Sequence, residues 1–114
     1  MTDRTTSATG PPPASATWLY NEFAYTGTDY GDPEEVARYE SRMGEIRNFD
    51  AEAAEIMHAV DLQPEQTLLE MGMGTGWFAL RVAAHCQFVH ACDISKPMLE
   101  YARLRAREAG IQNI

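Results

Sequence analysis

The chain has little positive charge. Its 114 residues hold 9 lysines and arginines against 17 acids, Lys96 is the single lysine, and the formal net charge is −8. Phosphate backbones are bound by clustered cations, so nucleic acid is not expected as the main partner. Long apolar runs are missing as well. No stretch approaches the ~18 consecutive apolar residues of a spanning helix, and a basic then apolar leader pattern is lacking. A cytoplasmic protein without a membrane partner is the expectation. Cysteine is sparse: Cys86 and Cys92 fit neither a Cys-x-x-Cys redox pair nor a zinc spacing. Both read as buried, reduced thiols. His58, His85 and His90 make no His-x-x-x-His pattern with a nearby carboxylate, so no metal is expected.

What is present falls into three parts. Residues 1–16 are small, polar and proline-rich, and read as a disordered tail that cannot bury enough apolar surface to offset its ordering entropy. Residues 17–49 contain an aromatic stretch (Trp18, Tyr20, Phe23, Tyr25, Tyr30) and then a helix start at Asp32-Pro33-Glu34-Glu35. The aspartate caps, proline suits the first turn, and Glu35 is placed to reach back. Val36, Tyr39, Met43 and Ile46 repeat at helical spacing as its apolar stripe. From residue 50 to 114 the pattern is that of an α/β unit. A second helix begins after Asp50, with Ala53, Ile56, Met57 and Val60 inward, and stops before Pro64. A strand covers about Thr67 to Met71, and a helix follows from Trp77 to His85. A second strand runs from Phe88 to Cys92. Ser95 caps a last helix whose inner stripe is Leu99, Ala102, Ala106 and Ala109, and Gly110 ends it. The order predicts a doubly wound, Rossmann-like parallel sheet with N-terminal helices, truncated after the second strand and its helix.

Residues 68–76 read Leu-Leu-Glu-Met-Gly-Met-Gly-Thr-Gly. A strand that turns through glycines into a helix exposes bare backbone to a ligand at the carboxyl end of the sheet. Glu70 stands just before the turn, as an acceptor for an ammonium group. Asp93 lies 21 residues beyond Gly72, at the tip of the second strand, where an acid accepts from both ribose hydroxyls. Ile94 offers an apolar surface to a purine. The dinucleotide fingerprint G-x-G-x-x-G fails at its third glycine, where Trp77 stands, and Glu70 would repel a pyrophosphate. No Gly-Lys-Ser/Thr ending is present, which excludes a P-loop. The residues point to adenosine joined to an amino acid. Plainer readings stay open: glycines that serve only the turn, an Asp93 that only caps a helix, and lid tyrosines and tryptophan that pack on the helix at 33–47.

From about Pro64 onward the chain resembles the N-terminal half of a class I S-adenosylmethionine-dependent methyltransferase, of the small-molecule kind. Leu68 to Gly76 is similar to that family's first motif. Asp93-Ile94-Ser95-Lys96-Pro97-Met98-Leu99-Glu100-Tyr101-Ala102-Arg103 resembles the segment that follows it, and Ala109 to Ile114 the lead into a third strand. The resemblance implies S-adenosyl-L-methionine as cofactor. It places Glu70 and the backbone of Gly72, Gly74, Thr75 and Gly76 on the methionine moiety, Asp93 on the ribose, and Ile94 with Met98 on the adenine. It also implies a lid over the methyl group, with Tyr25, Tyr30 and Tyr39 as candidates. Met73 departs from the pattern, where a smaller residue is usual; it either narrows the methionine end or bends away. A small-molecule methyl acceptor is expected, and no catalytic base is legible. The chain is expected to be a fragment that alone transfers little methyl. The alternatives are a non-catalytic cofactor-binding or interaction module and, more weakly, a fragment of an NAD(P)-binding oxidoreductase.

Overall fold

A computed structural model describes residues 28–114. Four helices and two strands follow one another as α1 (Pro33–Gly44), α2 (Phe49–Ala59), β1 (Thr67–Met71), α3 (Trp77–Val82), β2 (Phe88–Cys92) and α4 (Lys96–Glu108). This is the predicted order. One helix is shorter than expected: after Val82 the chain tightens into a single 3₁₀ turn, Ala83–His85. No helix among the described residues is long and apolar enough to cross a membrane.

The helix starts are made by side chains. Asp32 accepts from the Glu34 amide at 2.9 Å and Pro33 opens α1. Glu35 does not reach back to the cap. It faces Arg38 and Arg42 at 3.8 and 3.6 Å instead, exposed pairs that contribute little. α2 begins earlier than the sequence suggested, at Phe49, because Asn48 is the cap and accepts from the Ala51 amide at 3.1 Å. Ser95 caps α4 as expected.

β1 and β2 pair in parallel, with Leu68 opposite Val89 and Glu70 opposite Ala91. Leu68 and Val89 face the helices, where Ala53, Phe78, Ala79, Val82, Ala83 and Cys86 complete the core. On the inner stripes the structure corrects the sequence reading. Along α2, Phe49, Ala53 and Met57 turn inward at a spacing of four. Ile56 and Val60 flank that stripe and remain 39% and 56% exposed. In α1 only Val36 is fully buried, and Ile46 lies past the helix end at 75% exposure. In α4 the stripe centres on Met98 and Ala102, while Ala109 is exposed. The opposite face of the sheet, with Leu69 and Met71, stands 66% and 79% exposed. Cys92 shares that face and is exposed, not buried as expected, because α3 and α4 cover only the other side.

α2 grips α3 through stacked rings. Phe49 lies on Trp77 at 5.0 Å, and the Arg47 guanidinium sits over both rings at 5.2 and 4.9 Å. Glu52 holds Arg47, while Arg81 donates to Asp50 and to the Trp77 carbonyl, each at 2.7 Å. Beyond α4, the Asn113 carbonyl accepts from the Val89 amide at 2.9 Å, so residues 111–114 run alongside β2.

Gly76 is where α3 meets α4. Its φ is +81°, and a β-carbon there would lie 3.0 Å from the Ala102 β-carbon. Gly110, at φ +68°, has open space. Gly76→Ala is therefore expected to cost roughly 1–3 kcal/mol in urea unfolding. That cost should exceed that of Gly110→Ala, which carries backbone strain alone, about 1–2 kcal/mol. Equal costs would show that the α3–α4 contact does not need glycine.

Candidate functional site

The site is built where both strands end. After Met71 the chain takes positive φ at Gly72 (+72°) and Gly74 (+58°), and a β-carbon at either would meet nothing within 4 Å. The turn thus presents an open flank, but its amides are largely spent on holding its own shape. Gly72 and Met73 both donate to the Cys92 carbonyl, at 2.8 and 3.0 Å, and Gly76 donates to the Met73 carbonyl at 3.0 Å. The Gly74 amide donates to Asp93 Oδ2 at 2.8 Å. The carbonyls of Gly72 and Gly74 accept none of the described backbone bonds. What the flank offers a ligand is therefore α-carbon surface and carbonyl oxygen, suited to an ammonium group more than to a phosphate.

A cavity of about 600 Å³ opens onto this flank. Gly72, Gly74, Asp93, Ile94 and Met98 form one wall; Asp29, Tyr30, Gly31 and Tyr39 form the other. Ile94 is fully exposed toward it, and Met98 is buried at its base. Tyr30 and Tyr39 meet edge to face at 5.8 Å. Of the residues singled out by sequence, the structure brings together Gly72, Gly74, Asp93, Ile94, Met98, Tyr30 and Tyr39. Glu70, Thr75 and Gly76 do not line this cavity. Tyr25 lies outside the described residues. Met73 is 4% exposed and turns toward the α4 layer, so it bends away from the glycine flank. Trp77 and Phe78 pack in or against the core.

A second cavity, about 410 Å³, runs between α4 and the sheet beside Val89, Leu99 and Ala106; no acid lines it.

Sequence reasoning took Ser95 as a cap and nothing more. In the structure its hydroxyl also donates to the Tyr30 carbonyl. Thr28 and Asp29, which the sequence does not mark, also line the cavity, and Lys96 and Pro97 join them from the Asp93–Arg103 segment. No local signal could have revealed the Ser95 contact, because its partner is 65 residues away.

Asp93 accepts from two amides, Gly74 at 2.8 Å through Oδ2 and Ser95 at 2.8 Å through Oδ1. Each carboxylate oxygen keeps a further lone pair for a ligand hydroxyl. Glu70 is half-buried on the helix side of β1, and its Oε2 is buried with no described hydrogen-bond partner. Thr75 Oγ1 is in the same condition. Burial pushes the Glu70 carboxyl up to about 7; the Ala79 backbone pulls it down, and the charge of Asp93 raises it further.

A carboxyl held above its ordinary value of 4.5 binds a proton more tightly folded than unfolded. Its contribution to stability is full below about 4.5 and is lost as pH rises through about 7. Without ligand, the wild-type protein should lose on the order of 1–2 kcal/mol of stability over that interval relative to Glu70→Gln, after allowance for partial exposure. Parallel pH profiles of urea unfolding check this. Superimposable profiles would show that Glu70 is solvated.

Residues 68–114 match a protein family described as methyltransferase domain. No curated protein matches the chain. Among solved structures, it is similar to the YcgJ protein from Bacillus subtilis, with 28% identity and a TM-score of 0.52. That match covers 54% of this chain and 26% of the other. It is also similar to coclaurine N-methyltransferase bound to N-methylheliamine and SAH, at 26% identity and a TM-score of 0.53. There the coverage is 57% of this chain and 20% of the relative. A SAM-dependent methyltransferase from Aquifex aeolicus, 22% identical, shares the fold with a TM-score of 0.56 over 72% of this chain and 44% of that one. The chain thus matches less than half the length of each. Residues 68–114 thus match the methyltransferase-domain model, and the parallel strand pair with its glycine turn shares the fold of S-adenosylmethionine-dependent methyltransferases.

Proposed function

We propose that this chain holds S-adenosyl-L-methionine in the cavity between the glycine turn and Tyr30–Tyr39, and that the whole protein transfers the methyl group to a small-molecule acceptor. The observation that carries the reading is Asp93, joined to the glycine turn through Gly74 and facing an open cavity beside Ile94 and Met98. In this reading Asp93 accepts from the ribose hydroxyls, while Ile94 and Met98 cover the adenine faces. The open carbonyls of Gly72 and Gly74 take the ammonium of the amino acid, with Glu70 behind them as the countercharge. Residues 50–114 act as the N-terminal part of the catalytic domain, and the described part of the 17–49 segment, from Thr28 on, covers the site.

The fit rests on the donor set. An adenosine carrying an ammonium needs acceptors at both ends, and the turn and the strand tips provide acceptors. A pyrophosphate needs free amides, and most amides of this turn are engaged. When bound, the cofactor supplies an electrophilic methyl on a sulfonium. This chain's residues contribute binding, orientation and exclusion of water. The bound N-methylheliamine of coclaurine N-methyltransferase supports a small-molecule acceptor.

Calorimetry with S-adenosylhomocysteine tests the reading. The wild-type protein should bind it, and Asp93→Ala should weaken binding at least tenfold, about 1.4 kcal/mol. NADH should not compete. Unchanged affinity on Asp93→Ala would sink the assignment. The 114-residue chain alone is expected to give little methyl transfer, and robust turnover of small amines or other acceptors in a labelled-methyl assay would contradict that.

A further inference from the structure

We infer that the Ser95 hydroxyl is a positioning group that fastens the aromatic wall of the cavity to its nucleotide-facing wall; the inference rests on the cofactor reading above. Ser95 is 9% exposed and sits between the two walls. Its amide donates to Asp93 Oδ1 at 2.8 Å. Its oxygen accepts from the Met98 amide at 3.2 Å, which caps α4. Its proton goes to the Tyr30 carbonyl. A hydroxyl both donates and accepts, so serine performs both tasks, whereas a carboxylate cap only accepts.

The rest of the 28–32 segment holds itself by local bonds. Gly31 donates to Asp29 Oδ1 at 2.9 Å and Asp32 donates to the Asp29 carbonyl at 3.1 Å. These shape the segment without attaching it to the sheet end. Burial does not fix it either, since Tyr30 is 42% exposed. Farther along the chain α1 packs on α4, and there Glu40 receives Tyr101 at 3.2 Å and pairs with Arg105. At the cavity itself, among the described residues, Ser95 is the hydrogen-bonded link. It extends the Gly74–Asp93 contact into one chain of bonds from the glycine turn to Tyr30, and Tyr30 meets Tyr39. Loss of that link frees the 28–32 part of the aromatic wall, including Tyr30, and opens the route out of the cavity, while Tyr39 stays on α1.

The test compares Ser95→Thr, Ser95→Asp and Ser95→Ala by amide exchange and by the release rate of S-adenosylhomocysteine. Threonine should behave as wild type. Aspartate retains a cap for α4 but has no proton for Tyr30. It should keep the melting temperature while exchange rises across residues 28–32 and release speeds up about fivefold. Alanine should do the same and lower the melting temperature as well. An aspartate variant that exchanges and releases like wild type overturns the inference. Should the added charge beside Asp93 prevent folding, alanine decides: exchange raised in 28–32 but not in 99–108 supports the link, and an equal rise in both is a capping effect that overturns it. If the wild type takes up no S-adenosylhomocysteine while exchange in 28–32 still responds, the link stands and the cofactor reading falls.

Discussion

The carboxylate of Asp93 is the constraint on which the site depends. One oxygen receives the Gly74 amide and the other the Ser95 amide. The first bond fixes the shape of the turn after β1, and the second fixes the start of α4. Hydrogen bonds to an ionised acceptor are stronger than neutral ones, so this side chain adds to the Gly72 and Met73 bonds to Cys92 in fixing the turn against the start of α4. One wall of the cavity, from the glycine turn to the start of α4, is held together by it.

Around that carboxylate the energetics divide by layer. The helix side of the sheet is closed by small and branched side chains, Ala53, Ala79, Val82 and Val89, which allow close approach of α2, α3 and the strands. The clamp of Phe49, Trp77 and Arg47 then keeps α2 on α3. Polar groups left inside this layer are few, and Glu70 is the consequential one. Its raised proton affinity follows from burial, to which the charge of Asp93 adds, and its Oε2 is left unpartnered.

Much of the architecture was readable because local chemistry and global fold agree. Asp32, Ser95 and Gly110 mark helix ends by side-chain or backbone properties that act within a few residues. The two strands follow from short apolar runs before a turn. Errors arose where a helix has more than one apolar flank. Ile56 and Val60 look as inward as Met57 by periodicity, yet only one stripe can face α3. Cys92 is exposed because burial of a strand residue depends on what covers its face, which the strand's own sequence does not carry. Glu35 was drawn to two arginines one turn or two away instead of to its own cap.

For the site, the sequence by itself determined the residue types at the sheet end: three glycines that tolerate positive φ, an acid before them, and a second acid 21 residues beyond Gly72. These are local or strand-length relations, so spacing along the chain translates directly into position at the sheet end. Only the tertiary structure decided which atoms remain available. It turned Met73 and Thr75 inward, engaged most of the turn's amides, and set Tyr30 and Tyr39 across from Asp93, with Tyr30 bonded to Ser95, 65 positions away. The reason is physical. Residue types limit what a backbone can do, but which partner satisfies each polar group depends on segments brought together by packing.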